Sequence, residues 1–264
     1  MLLDKFPKVK ALLLDLDGVL WRDVKPIGDI PKIINRIDAL GLKYLFATNN
    51  ATKTIDEFVD KFRGFGLDLS PDQIINSSQA VGAYLSKHFP NGGNIYVVGP
   101  PSLITTLAKY GFIHQNDMEN KNIVAVVGSM DYELTYEKIK QAGLLIRSGS
   151  LFIGTNSDAT YPTPSGLWPG AGTIVRAIET ASETKPIIIG KPEPALFNLG
   201  FEKLGLRPEQ TMVVGDRLET DIAGGQAAGC LTCLVLSGVS KQAQADKWRP
   251  KPDIICDNLE ALLK

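Results

Sequence analysis

The sequence predicts an α/β protein: a mainly parallel sheet forms the core, and a smaller α/β domain is inserted into it. Three observations carry that prediction. Short runs rich in Val, Ile and Leu alternate with segments of helical periodicity along the 264 residues. The runs are apolar throughout rather than alternating, the pattern of strands buried on both faces. The middle of the chain, about a hundred residues, has strand and helix signals of its own and is long enough for a separate small core. The domains read as 1–79 and 183–264 for a discontinuous core and 80–182 for the insertion.

The first strand is Val9 to Leu14, broken only by Lys10, and it delivers Asp15-Leu16-Asp17-Gly18. Charged residues rarely enter a buried strand unpaired, so both aspartates belong at its carboxyl end, where open α/β sheets bind ligands. The alternative is a plain turn before Gly18. Ile30, Ile33, Ile34, Ile37 and Leu40 recur at helical spacing, predicting a helix from Asp29 that stops at Gly41. Tyr44 to Ala47 reads as the next strand, ending at Thr48-Asn49-Asn50. Thr54-Ile55-Asp56-Glu57 is a capping-box pattern opening a helix through Phe62.

In the insertion, strands are expected at Ile95–Val98, Ile123–Val127 and Leu151–Ile153, with helices near Ser102–Tyr110, Tyr136–Arg147 and Thr173–Thr184. Beyond it, Pro186 to Ile189 reads as a core strand ending at Gly190-Lys191. Pro192 steers Lys191 away from the helical region, and Pro194 suits the first turn of a helix through Leu204. Thr211–Val214 is a further strand leading to Gly215-Asp216. A helix over Glu219–Ala228 and strands over Leu231–Leu236 and Asp253–Cys256 complete the core.

Composition narrows the function classes. A net charge of −1 gives no electrostatic case for a nucleic-acid polymer or an anionic membrane surface. No apolar stretch approaches the ~20 residues of a bilayer-spanning helix, and Met1 to Pro7 lacks the apolar core of a signal peptide. Three cysteines fit a reducing compartment, so a cytoplasmic location is expected. Cys230 and Cys233 form a C-x-x-C in a strand pattern, where positions three apart face opposite ways. They read as core residues rather than a metal site.

Four expected strand ends carry distinct chemistry: Asp15 with Asp17; Thr48 with Asn49 and Asn50; Lys191; and Asp216 with Asp221 nearby. On one parallel sheet they would converge on one edge. Carboxylates gathered without compensation repel and raise one another's pKa, which a hard cation such as Mg²⁺ relieves. The hydroxyl, the amides and the lysine are groups that bind phosphate, and the N–H groups of the helix after Asn50 could bind a further anion. Taken singly, Lys191 with Asp216 also reads as a salt bridge, and Thr48 as a helix cap.

Asp15-Leu16-Asp17-Gly18-Val19-Leu20, Thr48-Asn49-Asn50, Gly190-Lys191-Pro192 and Gly215-Asp216-Arg217-Leu218-Glu219-Thr220-Asp221 resemble, in order, the four motifs of the haloacid dehalogenase superfamily. The insertion, including Thr155 to Pro162 and Gly166 to Thr173, resembles the large α/β cap of its NagD-like or p-nitrophenylphosphatase branch. The likeness spans essentially the whole chain. It implies a Rossmann-like core and an Mg²⁺-dependent phosphatase for small phosphorylated metabolites. Asp15 would be the nucleophile and Asp17 the general acid and base. Asp15, the Asp17 carbonyl and Asp216 would hold the metal, with Asp221 behind them. Thr48, Asn49, Asn50 and Lys191 would bind the phosphoryl group. Phosphoglycolate, pyridoxal phosphate, nucleoside monophosphates and p-nitrophenyl phosphate are substrates the resemblance suggests, and a homodimer through the cap is compatible with it.

Asp17 favours phosphate chemistry over dehalogenation, which releases halide and needs no proton donor. A phosphomutase, a non-catalytic phospho-ligand-binding protein and a receiver-like phosphoacceptor stay open. Asp158, Thr160 and Tyr161 are candidates for contacting the leaving group, or equally a turn held by Pro162 and Pro164. Trp21 and Trp168 read as substrate contacts or core packing. Pro169-Gly170-Ala171-Gly172 lacks the spacing of a nucleotide loop and reads as a hinge or turn.

Overall fold

A computed structural model describes residues 2–116, 122–163 and 165–264, so Met1 and Pro164 lie outside the described residues. The chain forms two compact units. The first contains Met1–Thr48, Ile55–Ile75 and Lys191–Lys264, and the second Asn49–Thr54 and Asn76–Gly190.

The first unit is built on a six-stranded sheet in the order Ile254–Cys256, Leu231–Val235, Thr211–Gly215, Ala11–Leu14, Lys43–Thr48, Ile74–Asn76. The four pairings from Ile254–Cys256 through Lys43–Thr48 are parallel. Leu12, Leu13 and Leu14 are buried, as are Met212, Val213 and Val214 beside them, which is why both runs are continuously apolar. The helix Ile30–Ala39 opens where Asp29 accepts a hydrogen bond from the Lys32 N–H at 3.1 Å, and it buries Ile30, Ile33, Ile34 and Ile37. Pro194–Leu204 starts on proline and ends on Gly205 at φ 64°, a left-handed cap that a side chain would strain.

From Ala11–Leu14 the chain moves outward to Lys43–Thr48 and Ile74–Asn76. Its later strands then build from Thr211–Gly215 in the opposite direction. The Ala11–Leu14 strand is therefore where strand order reverses, and the carboxyl end at such a point is where open α/β sheets bind ligands.

The second unit has its own parallel sheet, ordered Ile187–Ile188, Leu151–Gly154, Ile123–Gly128, Gly93–Val98, Phe112–His114. Tyr96, Val98, Val126, Ile146, Phe152, Ile174, Val175 and Ile178 form a core with helices Tyr136–Arg147 and Ala171–Ser182. A hairpin pairs Thr160–Thr163 with Gly166–Pro169.

One strand differs from expectation. Ile187–Ile188 pairs with Ile153 and Gly154 in the second unit's sheet rather than extending the core sheet. A short apolar run reads the same whichever sheet receives it, so sequence alone could not choose between them. This pairing carries the second unit to Gly190, and Lys191, in the loop that follows, belongs to the first unit. Likewise Leu218–Ile222 winds as a π-helical turn before the α-helix Ala223–Ala227, where periodicity suggested one continuous helix. Pro169-Gly170 links the hairpin to the helix Ala171–Ser182, with Gly170 at the helix N-cap. Among the described residues no helix is long and apolar enough to cross a membrane.

Candidate active site

At the reversal point the sheet ladder continues one residue further, the Asp15 N–H donating to the Val214 carbonyl at 2.9 Å. This fixes the Asp15 backbone beside Gly215, with Asp216 immediately beyond it. On the other side Thr48 ends its strand and is buried.

Lys191, 4% exposed, ties these elements together. Its Nζ donates to Asp15 Oδ1 at 2.6 Å, Asp221 Oδ1 at 2.7 Å and the Ala47 carbonyl at 2.9 Å. Three acceptors match the three N–H bonds of an ammonium, the arrangement a buried lysine requires. Asp216, the salt-bridge partner of the alternative reading, is not among these three acceptors; Asp15 and Asp221 are. Asp221 is engaged at its other oxygen as well, accepting from the Arg217 N–H at 3.2 Å and the Thr220 hydroxyl at 3.5 Å. Asp216 Oδ2 accepts from the Val239 N–H at 2.6 Å.

Carboxylate oxygens of Asp15, Asp216 and Asp221 all lie within 4.8 Å of one another. Burial pushes the Asp15 carboxyl well above the ordinary carboxylate range. Lys191 pulls it down, while Asp221 and Asp216 push it up further. Asp216 is raised to about 7, by burial first and the Asp221 charge second, against the Val239 hydrogen bond. Burial works against the Lys191 charge, but the charges of Asp15 and Asp221 outweigh it and hold the ammonium above its usual range. One buried cation thus faces three carboxylates, leaving a negative excess that a divalent cation or protons must answer.

Three glycines make room for this cluster; Gly18 and Gly215 stand in the motifs read from sequence, and Gly238 does not. A Cβ at Gly18, where φ is +85°, or at Gly238 would collide with the Asp216 carboxylate, and one at Gly215 with Asp221. Only strands and turns without side chains let the carboxylates lie flat against the backbone. Gly238→Ala is therefore expected to displace Asp216. The expected cost is about 1–3 kcal/mol in stability, read by chemical denaturation. An unchanged unfolding midpoint would refute that role for Gly238.

Asp17 is partly buried, and the indole N–H of Trp21 donates to its Oδ1 at 2.9 Å. Of the two sequence readings of Trp21, burial is correct: the ring is fully enclosed, yet it also bonds a candidate catalytic group. Trp168 is 44% exposed and meets Tyr132 edge-on at 6.1 Å.

Asn49 and Asn50 group with the second unit. Asn49 Nδ2 donates to Asp158 Oδ2 at 3.2 Å, and its carbonyl accepts from Ser77 Oγ at 2.7 Å and Asn156 Nδ2 at 3.0 Å. Asn50 Oδ1 accepts from both the N–H and the hydroxyl of Thr52, at 2.8 and 2.6 Å, so this side chain shapes its own turn. Thr160 and Tyr161 lie in the hairpin, opposite Pro169 and Trp168. Cys230 and Cys233 are free thiols, and the sulfur nearest Cys233 is Cys256, at 3.6 Å.

Family models match both outer parts of the chain: haloacid dehalogenase-like hydrolase over residues 12–113 and HAD-hydrolase-like over 188–262. An acid sugar phosphatase of Staphylococcus aureus is 36% identical over 231 residues, 88% of each chain. The chain belongs to the haloacid dehalogenase-like hydrolases. Among solved structures, this hydrolase is similar to a 4-nitrophenylphosphatase from Thermotoga maritima. The TM-score is 0.90 and the identity 32%, over 100% of this chain and 98% of that one. It is also similar to a glycerol phosphate phosphatase from Mycobacterium tuberculosis, solved with magnesium. There the TM-score is 0.88 and the identity 31%, over 97% of this chain and 76% of that one. Its neighbours are of the NagD and p-nitrophenylphosphatase type, and within the family this hydrolase is a phosphatase.

Proposed function

We propose that this phosphatase hydrolyses small phosphomonoesters with Mg²⁺, through an aspartyl-phosphate on Asp15. The observation that carries the reading is the state of Asp15. Its side chain keeps 12% exposure at the sheet's reversal point while the buried Lys191 ammonium holds its Oδ1. A carboxylate anchored at one oxygen by a buried cation presents the other in a defined direction, as in-line attack requires.

Asp15 attacks phosphorus, and a P–O bond to the carboxylate forms. The ester P–O bond breaks with its electron pair on the leaving oxygen, which takes a proton from the Asp17 carboxyl group. Water then attacks phosphorus, giving a proton back to Asp17, while the acyl-phosphate P–O bond breaks and restores Asp15. The products are an alcohol and inorganic phosphate. Lys191 stays protonated throughout and compensates charge beside the phosphoryl group.

The donor set fits a hard divalent cation: carboxylate oxygens gathered within 4.8 Å, in excess over the single buried ammonium. Asp15, Asp216 and the Asp17 carbonyl would hold Mg²⁺. Asp221, with both oxygens already accepting hydrogen bonds, would support it from behind. When bound, the ion supplies charge neutralisation between nucleophile and phosphate. Thr48 would join Lys191 in holding the phosphoryl oxygens, with Asn49 and Asn50 proposed as further phosphoryl ligands and Asp158, Thr160 and Tyr161 as the residues that select the leaving group. The relatives named for sugar and glycerol phosphates make polyol-type phosphomonoesters the leading substrate class.

The test is phosphate release from p-nitrophenyl phosphate and a panel of small phosphomonoesters. Turnover with Mg²⁺ is expected, falling at least roughly 100-fold in EDTA and returning when Mg²⁺ is restored. No release across the panel, or release indifferent to EDTA, would sink the reading.

A further inference from the structure

We infer that Trp21 is a positioning residue for Asp17: its indole N–H fixes one carboxylate oxygen so that the proton moves on the other. The inference rests on the phosphatase reading above and deepens it.

The geometry is specific. Trp21 brackets the Asp17-Gly18 turn twice, donating from Nε1 to Asp17 Oδ1 at 2.9 Å and accepting at its carbonyl from the Gly18 N–H at 2.7 Å. The Ser237 hydroxyl holds the turn from the other end, donating to the Gly18 carbonyl at 2.7 Å. The ring itself cannot swing. It is fully buried, edge-on to Phe62 at 4.9 Å and stacked on Phe65 at 5.7 Å. An aromatic ring packed this way is a rigid arm for the one polar atom it carries.

A cation also faces the ring. Lys61 Nζ sits 4.0 Å from the Trp21 ring centroid, and the Asp23 carbonyl, accepting from it at 2.9 Å, helps to hold it there. A positive charge over the π face draws electron density from the ring and strengthens the N–H as a donor. Packing alone explains a buried aromatic here, but not an indole whose nitrogen points at the carboxylate and whose face carries a lysine. With Oδ1 engaged by Trp21, proton transfer to the leaving oxygen runs from Oδ2. That direction is set by the packed ring together with the turn it braces.

A positioning role is separable from a structural one by the demand the leaving group makes on Asp17. p-Nitrophenolate departs with little protonation, whereas unsubstituted phenolate needs it, and the two esters differ little in shape. The experiment compares kcat/KM for phenyl phosphate and p-nitrophenyl phosphate in wild type, Asp17→Asn, Trp21→Phe and a protein with β-(3-benzothienyl)alanine at position 21. That last residue keeps the shape of tryptophan but has sulfur in place of the N–H, so folding is preserved if Trp21→Phe fails to fold.

For both position-21 variants the phenyl ester is expected to lose roughly 10- to 100-fold while the p-nitrophenyl ester loses less than about threefold. Asp17→Asn should show the same bias more strongly. Equal losses on both esters, or no loss on either, would overturn the role of Trp21. If Asp17→Asn shows no bias while wild type turns over both esters, it is the acid role of Asp17 that fails instead.

Discussion

Replacing Asp15 with asparagine is expected to abolish turnover, by at least roughly 10⁴-fold, while leaving the fold in place. An amide oxygen is a poor nucleophile toward phosphorus, and Asp216 and Asp221, the two carboxylates clustered with Asp15, are themselves buried. Stability is expected to change by less than about 1 kcal/mol, because two effects oppose each other. The substitution weakens one ion pair of Lys191, which keeps Asp221 at 2.7 Å. It also removes a buried charge that burial, Asp221 and Asp216 all disfavour. Phosphate release and thermal unfolding check the two halves separately. Acid quenching of wild type during turnover should leave a phosphoryl adduct on the Asp15 peptide and none in the variant. Substantial activity in a purified Asp15→Asn protein would refute the nucleophile.

Lys191→Met is expected to be the most destabilising single change at the site, costing about 3–5 kcal/mol in EDTA. The side chain fits an apolar replacement in volume, but Asp15 and Asp221 lose the cation that bridges them, and the Ala47 carbonyl loses a donor. The pH dependence follows from sign. Carboxyl groups whose folded pKa lies above the unfolded value bind more protons when folded, so their penalty is greatest above the folded pKa and fades as pH falls through it. Asp216 already sits at about 7 with Lys191 present. The destabilisation should therefore shrink on going from about pH 8 to about pH 5. Saturating Mg²⁺ should recover part of the stability without recovering activity, since the ion replaces charge but not the hydrogen bond that aims Asp15. Chemical denaturation at several pH values, with and without Mg²⁺, reads both effects. A loss independent of pH would argue against carboxylate repulsion as its cause.

The elements that carry chemistry were the easiest to read from sequence. The Leu12-Leu13-Leu14 run followed by Asp15 reads as a buried strand meeting polar surroundings, and the structure has those leucines enclosed and Asp15 at the end of the strand. Pro194–Leu204 likewise announces its start through a first-turn proline. What stayed hidden depends on tertiary pairing. Ile187–Ile188 is apolar enough for either sheet, and only its register with Ile153 and Gly154 decides between them. Asp221 looks from spacing like a companion of Asp216, yet it is a direct partner of Lys191. Gly238 matters for the atoms it lacks, which no pattern of residue types announces. Trp21 carried a signal that could have been used: an indole four residues after a carboxylate, across a glycine turn, can reach back to it.

The strand order has a consequence for how the chain comes to be folded. Ala11 pairs with Thr211 on one flank and Lys43 on the other. Most of the second unit's sheet, by contrast, is drawn from one unbroken stretch. A nascent chain can therefore assemble most of that later-encoded sheet while Ala11–Leu14 still waits with one flank unpaired. Contacts this distant in sequence close slowly. Synthesis halted before Thr211 leaves an apolar strand with an open edge, the template on which chains associate with one another. Quality control of this protein is thus set at its centre: the strand that delivers Asp15 is among the first made and among the last completed.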